Sequence, residues 1–187
     1  ALYADSRPVP GRLTFPRIFF QDITDLPDAA GRTPPPGTML TPNDPNTNII
    51  ESQSDPAADG DLVVWDELMT HSGGHGHQIH FAHLGDGASH VLSNSPYTQS
   101  SPDVSGSQVV WQDGRAGSGQ EDIYMYDMAT GQETPFCTPP VQQLRPRIHG
   151  AWVVCRTPTD SPTKNDFFPS HVAHGDTRQR TTHCQDL

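Results

Sequence analysis

Long apolar runs are missing from this chain of 187 residues, and no stretch of about 18 apolar residues is available to cross a bilayer as a helix. Basic residues are few. Eleven Lys and Arg stand against 22 Asp and Glu, for a formal charge of −11, and they are scattered without forming the basic face that a phosphate backbone requires. A nucleic-acid partner is therefore not expected. Cysteine is equally scarce: Cys137, Cys155 and Cys184 are too few and too irregularly spaced for a zinc knuckle, and there is no Cys-x-x-Cys-His for covalent haem. No window spaces its apolar residues at three to four, so almost no helix is expected. Catalytic signatures are absent as well, with no Gly-x-Ser-x-Gly elbow, no His-Glu-x-x-His and no phosphate-binding glycine loop.

What the chain does have is turn chemistry. Gly 16 and Pro 19 beside only 33% apolar residues describe many short strands joined by turns. The length suits a single domain over 1–187. The chain starts at Ala1 instead of Met, the start expected of a mature or trimmed protein whose targeting segment, if it had one, is gone.

A repeat organises these strands. Pro56-Ala-Ala-Asp-Gly60-Asp-Leu62-Val-Val-Trp65, Pro102-Asp-Val-Ser-Gly106-Ser-Gln-Val109-Val-Trp111 and Pro146-Arg-Ile-His-Gly150-Ala-Trp-Val153-Val-Cys155 are three copies of one pattern, spaced by 46 and then 44 residues. A second series, beginning at Ile79, Ile123 and Phe167, recurs every 44 residues and runs into turn glycines at Gly87, Gly131 and Gly175. Gln53, Gln99, Gln143 and Gln185 form a third, the first three standing three residues before the repeat proline. A period of this length belongs to propeller blades. The fold expected is all-β: a β-propeller of four-stranded antiparallel blades with about four repeats, 1–52, 53–98, 99–142 and 143–187. Sheet breaks then fall near 50, 97 and 142, with Trp65 and Trp111 buried between adjacent sheets. In the third copy the strands are Pro102 to Ser105, Gln108 to Gln112, Asp122 to Met128 and Gln132 to Cys137. Leu2 to Arg7 aligns with Val110 to Arg115, so the chain opens at the second strand of a repeat and closes at Leu187, one strand short of four complete blades. The ends point either to a longer propeller, or a subunit completed by strand addition from a partner, or to a four-blade disc in which Ala1 to Ala4 pairs with the last unit.

The pattern Gln-x-x-Pro-x-[Ile/Val]-x-Gly-x-x-Val-Val-Trp-x-Asp-x-Arg followed by Asp-Ile-Tyr-x-Tyr-Asp-x-x-Thr-Gly, carried almost fully by Gln99 to Gly131, resembles the TolB-like β-propeller repeat of exported bacterial and archaeal surface proteins. The resemblance fades at the ends, where Tyr3 and Cys155 replace Trp and Pro169-Ser170-His171 interrupts the last copy. Proline removes a ladder hydrogen bond, so that last strand is expected at an edge or in a bulge. The resemblance implies the fold, export to the periplasm, cell surface or extracellular space, and an interaction platform without catalytic residues.

Several features carry candidate chemistry. His75, His77 and His83 lie on one face of an extended strand in the histidine-rich segment His71 to His83, a possible set of Zn ligands. Asp113, Glu121, Asp122 and Asp127, and the weaker set of Asn43, Asp44, Asn46 and Asn48, offer hard oxygens for Ca²⁺, though without calcium-loop spacing. The expected state is free of cofactors, with Zn or Ca as the alternative. The Pro-rich insertion 24–54, with Pro34, Pro35 and Pro36 and the apolar anchors Ile49 and Ile50, is expected to lie on a partner or a neighbouring subunit. The cysteines allow Cys155–Cys184, Cys137–Cys155 or three buried thiols. The function expected is a non-enzymatic structural or protein-interaction subunit of a surface or multi-protein assembly. The alternative is a propeller-fold lyase or glycosidase with His80, His83 or His149 near a cleft, or a lectin with a metal or sugar site.

Overall fold

The computed structural model describes residues 2–5, 17–20, 38–39, 52–71, 74–84, 88–93, 95–117, 119–158 and 165–171, and among them there are only strands and turns, with no helix. Strands β1 (Leu2–Asp5), β2 (Arg17–Phe20) and β3 (Thr38–Met39) form the first sheet. The second holds β4 (Gln53–Asp59), β5 (Leu62–His71), β6 (Gly74–His83) and β7 (His90–Val91), in that order. The third holds β8 (Gln99–Ser105), β9 (Gln108–Asp113), β10 (Asp122–Asp127) and β11 (Gln132–Cys137). The fourth holds β12 (Leu144–His149), β13 (Trp152–Pro158) and β14 (Asn165–His171). Every pairing is antiparallel between consecutive strands, and the breaks fall where the repeat places them. Among the described residues β1 pairs only with β2, and β14, which carries Pro169, is an edge strand.

Each first hairpin closes on two residues, the leading one a glycine at positive φ: Gly60 at 60°, Gly106 at 58° and Gly150 at 55°. Glycine takes that conformation without the Cβ clash that other residues meet, and the turn keeps the right-handed twist of the strands it joins. The second strands of the second and third sheets, β5 and β9, then bury both faces. Val63 and Trp65 pack with Ile18, Phe20 and Ala82 on the first sheet's side, while Leu62 and Val64 pack with Val109 and Trp111 of the next sheet. Val110 turns to the fourth sheet, where Val153 and Cys155 meet it with Ile123 and Phe136. The core is thus three apolar seams between neighbouring sheets, and Trp65 and Trp111, fully buried, fill two of them. Cys155 occupies the corresponding place in the third. It is a free, buried thiol, while Cys137 in the same seam is disulfide-bonded. Both pairings expected for Cys155 are therefore corrected: its Sγ lies among apolar side chains and donates to Gln143 Oε1 at 2.8 Å.

First strands lie beside first strands, with β4 against β8 and β8 against β12. The sheets converge on this edge, which makes it the inner edge of the stack.

Candidate functional site

The repeated glutamine stands at or just before the start of each first strand, buried, and in the first two copies it bonds across the seam to the preceding sheet. Gln53 Oε1 accepts the backbone N–H of Ile18 in the preceding sheet at 2.9 Å, and its amide donates to Glu67, which also accepts Trp65 Nε1 at 2.8 Å. Gln99 repeats the arrangement: its Oε1 faces the N–H of Ile79, its amide donates to Ser93 Oγ and to Asp113 at 2.8 Å, and Trp111 Nε1 donates to the same carboxylate oxygen. In the third copy the pair changes together. Cys155 has no indole N–H to give, Thr157 replaces the acid, and both donate to Gln143 Oε1 while its amide donates back to Thr157 Oγ1. Acid or Thr stands 14 residues after the glutamine in all three copies. The glutamine series is visible in the sequence, and its partner, two residues beyond the Trp position, is the signal that completes it.

Asp113 carries further bonds. Arg115 donates to both its oxygens, at 2.8 and 2.7 Å, pairs with Glu133 at 2.7 Å and lies 3.8 Å over the Tyr124 ring. Burial pushes the Asp113 pKa up, but bonds from Arg115, Gln99 and Trp111 outweigh it and hold the group below its ordinary value. These side chains tie the strands of the third sheet to one another.

Of the three candidate histidines, His77 and His83 are not brought together. His77 Nδ1 donates to Asp66 at 2.5 Å and His83 Nδ1 lies 3.2 Å from Asp61. Six residues of extended strand separate the two by roughly 20 Å. The backbone of His75 pairs with Thr70, and its side chain lies outside the described residues. His80 packs in the seam beside Trp65, ring centroids 5.9 Å apart, and His149 is exposed at the opposite end of its sheet from Gln143. Of the acidic set, Asp113 holds Arg115, Glu121 accepts from Gln142, and Asp127 accepts the Ala129 N–H at 2.9 Å in a strand-end turn. Among the described residues no three His, Cys, Asp or Glu are grouped to hold a metal. Pro34, Pro35, Pro36, Ile49 and Ile50, with Asn43, Asp44, Asn46 and Asn48, lie outside the described residues.

What the structure does gather was not singled out in the sequence. Among the described residues, the only non-glycine residues at positive φ are Asp55 at 46°, Ser101 at 53° and Arg145 at 49°, each standing directly before the repeat proline. That position disfavours helical conformations of either hand. In each sheet a β-bulge coincides with it, shifting the register between Ser54 and Ala57, Ser100 and Asp103, and Leu144 and Arg147. The three bulges turn these residues into one polar cavity of about 500 Å³ at the inner edge of the stack. Asp66, His77 and Gln112 line it as well. The Asp66 bond raises the His77 pKa above 6.5 against the opposing effect of burial. A change of charge at one repeat position, Asp to Ser to Arg, is the signal that would have found this cavity.

Antiparallel sheets of up to four strands, stacked face to face with their first strands at a common inner edge, define a β-propeller. Its fold is TolB-like. It superposes with TM-score 0.61 on a TolB protein from Agrobacterium tumefaciens, at 15% identity over 91% of this chain and 57% of that one. TolB from Acinetobacter baumannii gives 0.57 at 16% identity, over 87% and 37%. The β-propeller domain of the Trilobed protease from Pyrococcus furiosus, whose topology is an open velcro, gives 0.54 at 14%, over 65% and 40%. The chain thus spans less than two thirds of each of these structures. No protein-family profile and no curated protein matches it.

Proposed function

We propose that this chain is a non-enzymatic, exported β-propeller unit serving as a structural or protein-interaction subunit of a surface or multi-protein assembly. The observation that carries the reading is a division between what the repeat keeps and what it changes. Seam positions keep their kind, with Gln53, Gln99 and Gln143 each reaching a partner 14 residues on. Positions at one end of the inner edge differ in every copy, as Asp55, Ser101 and Arg145 do. A frame that holds its seams while varying one end is suited to recognition, since rigid scaffolds place contact residues at the ends of their strands. Tyr97, 51% exposed, and Val141, 37% exposed, stand at that same end, two residues before Gln99 and Gln143. The Cys137 disulfide supports export, because such bonds persist in oxidising compartments.

The test is site-specific. A photo-crosslinking amino acid at Tyr97 should trap a defined protein in the exported fraction of the source cell, whereas the same group at Leu84, at the other end of its sheet, should trap none. Equal trapping at both positions, or none at Tyr97, would overturn the reading.

A further inference from the structure

We propose that the cavity at the inner edge is a binding site for a small dipolar ligand of amino-acid or short-peptide type, with a cationic group at one end and a carboxylate at the other. This goes beyond the assembly role and does not depend on it. The three residues that open the cavity come from three blades and hold a backbone conformation that is strained for an L-residue. Strain repeated at one place and directed into one hollow is the pattern of a site whose geometry is held for a ligand.

Charge runs across the hollow in order. Asp55 and Asp66, the latter bonded to His77, stand on the side of the second sheet, Ser101 and Gln112 are uncharged in the middle, and Arg145 and Arg156 stand on the side of the fourth. Asp66 is 2% exposed. Its Oδ2 accepts from Ser54 Oγ at 2.8 Å and from His77, while Oδ1 has no hydrogen-bond partner among the described residues. A buried carboxylate oxygen left without a donor is destabilising, so an ammonium or guanidinium reaching it removes a penalty that the protein alone carries. At the other pole the exposed Arg145 side chain pairs with no carboxylate among the described residues, and only its backbone N–H is engaged, with Gln112 Oε1 at 3.2 Å. A guanidinium so placed is a fork for a carboxylate. A ligand of one sign leaves one pole unmatched, whereas a dipolar molecule satisfies both. A hollow of about 500 Å³ is roughly 8 Å across, within the ordinary range for small-molecule sites and of the span of a short amino acid. Its described lining has no Phe, Tyr or Trp.

Titration of the intact chain with 6-aminohexanoate, followed by amide chemical shifts, should move Asp55, Ser101 and Arg145 together. Hexanoate and pentylamine, each keeping one pole, should bind at least tenfold more weakly. Arg145→Ala removes an exposed side chain and leaves the fold intact, and it should lower the affinity for 6-aminohexanoate at least tenfold without changing that for pentylamine. Asp66→Asn should weaken 6-aminohexanoate and pentylamine alike. If Asp66→Asn does not fold, Asp55→Asn and Arg145→Ala decide. Absence of binding at about 10 mM, equal binding of the one-pole compounds, or indifference to Arg145→Ala would each overturn the proposal.

Discussion

Gln99 has no solvent exposure, yet it serves three partners: the backbone of the preceding sheet, Ser93 and Asp113. Replacing it with Leu preserves volume and removes all three bonds at once, so Gln99→Leu should lower stability by about 1–3 kcal/mol, with the Asp113 carboxylate left short of a donor. Urea unfolding measures this, and an unchanged midpoint would show the seam to be held by apolar packing alone. pH tests two other residues in opposite directions. Because hydrogen bonds depress the Asp113 pKa below 3.8, its contribution is complete above that value and is lost as pH falls through the depressed native pKa. His77 is raised above 6.5, so its contribution is complete below that pH and disappears as pH rises through the raised native pKa. Ser54 and Asp55 share its surroundings with Asp66. Stability measured against pH should therefore decline on both sides, with Asp113→Asn flattening the acid limb and His77→Gln the other.

Strands and turns obey local rules except at the bulge. Gly106 stands at φ 58° with open space around the position of a Cβ, so strain alone decides what it tolerates. Gly106→Asn should be nearly neutral and Gly106→Val should cost about 1–2 kcal/mol, since a β-branched residue is an outlier at positive φ. Thermal melts separate the two; equal melting temperatures would mean that the turn has changed type. The strands of the third repeat were legible because periodicity, turn glycines and repeat register agree, and β10 and β11 lie within a residue of their expected limits. The first strand was expected from Pro102 and begins at Gln99. That extension was hidden: pairing of Gln99 with Asp113 continues past a bulge at which Ser101, a residue before proline, takes a conformation its neighbour disfavours. His77 and His83 are separated for a related reason: an extended strand draws them apart, and the two meet different carboxylates. The bonding state of Cys155 was illegible because disulfide pairing is decided by which side chains the seams bring together, not by spacing.

At the scale of the molecule, stability is distributed over seams. Trp111 fills the one between the second and third sheets, and Trp111→Ala should cost about 3–5 kcal/mol through lost burial and the cavity left behind. Because repeats touch only their neighbours, hydrogen exchange should quicken in β4–β6 and β8–β10 more than in β2. Uniform loss of protection in all sheets would mean instead that the stack unfolds as one unit.

Many bonds across these seams join positions a whole repeat apart. Ser101 Oγ donates to Asp55 across 46 residues, Gly106 N to Asp59 across 47, Ile148 N to Asp103 across 45 and Gly150 N to Ser105 across 45. The consequence is genetic. A recombination event that duplicates or deletes one complete unit returns each donor opposite an acceptor of the same kind, because the new neighbour carries the same ladder of positions. A short in-frame insertion within a unit moves donor and acceptor out of step along the whole seam. The architecture is therefore open to growth by gene duplication and resistant to small length changes in its inner strands, and copies made in this way are free to diverge at the cavity while their seams still interlock.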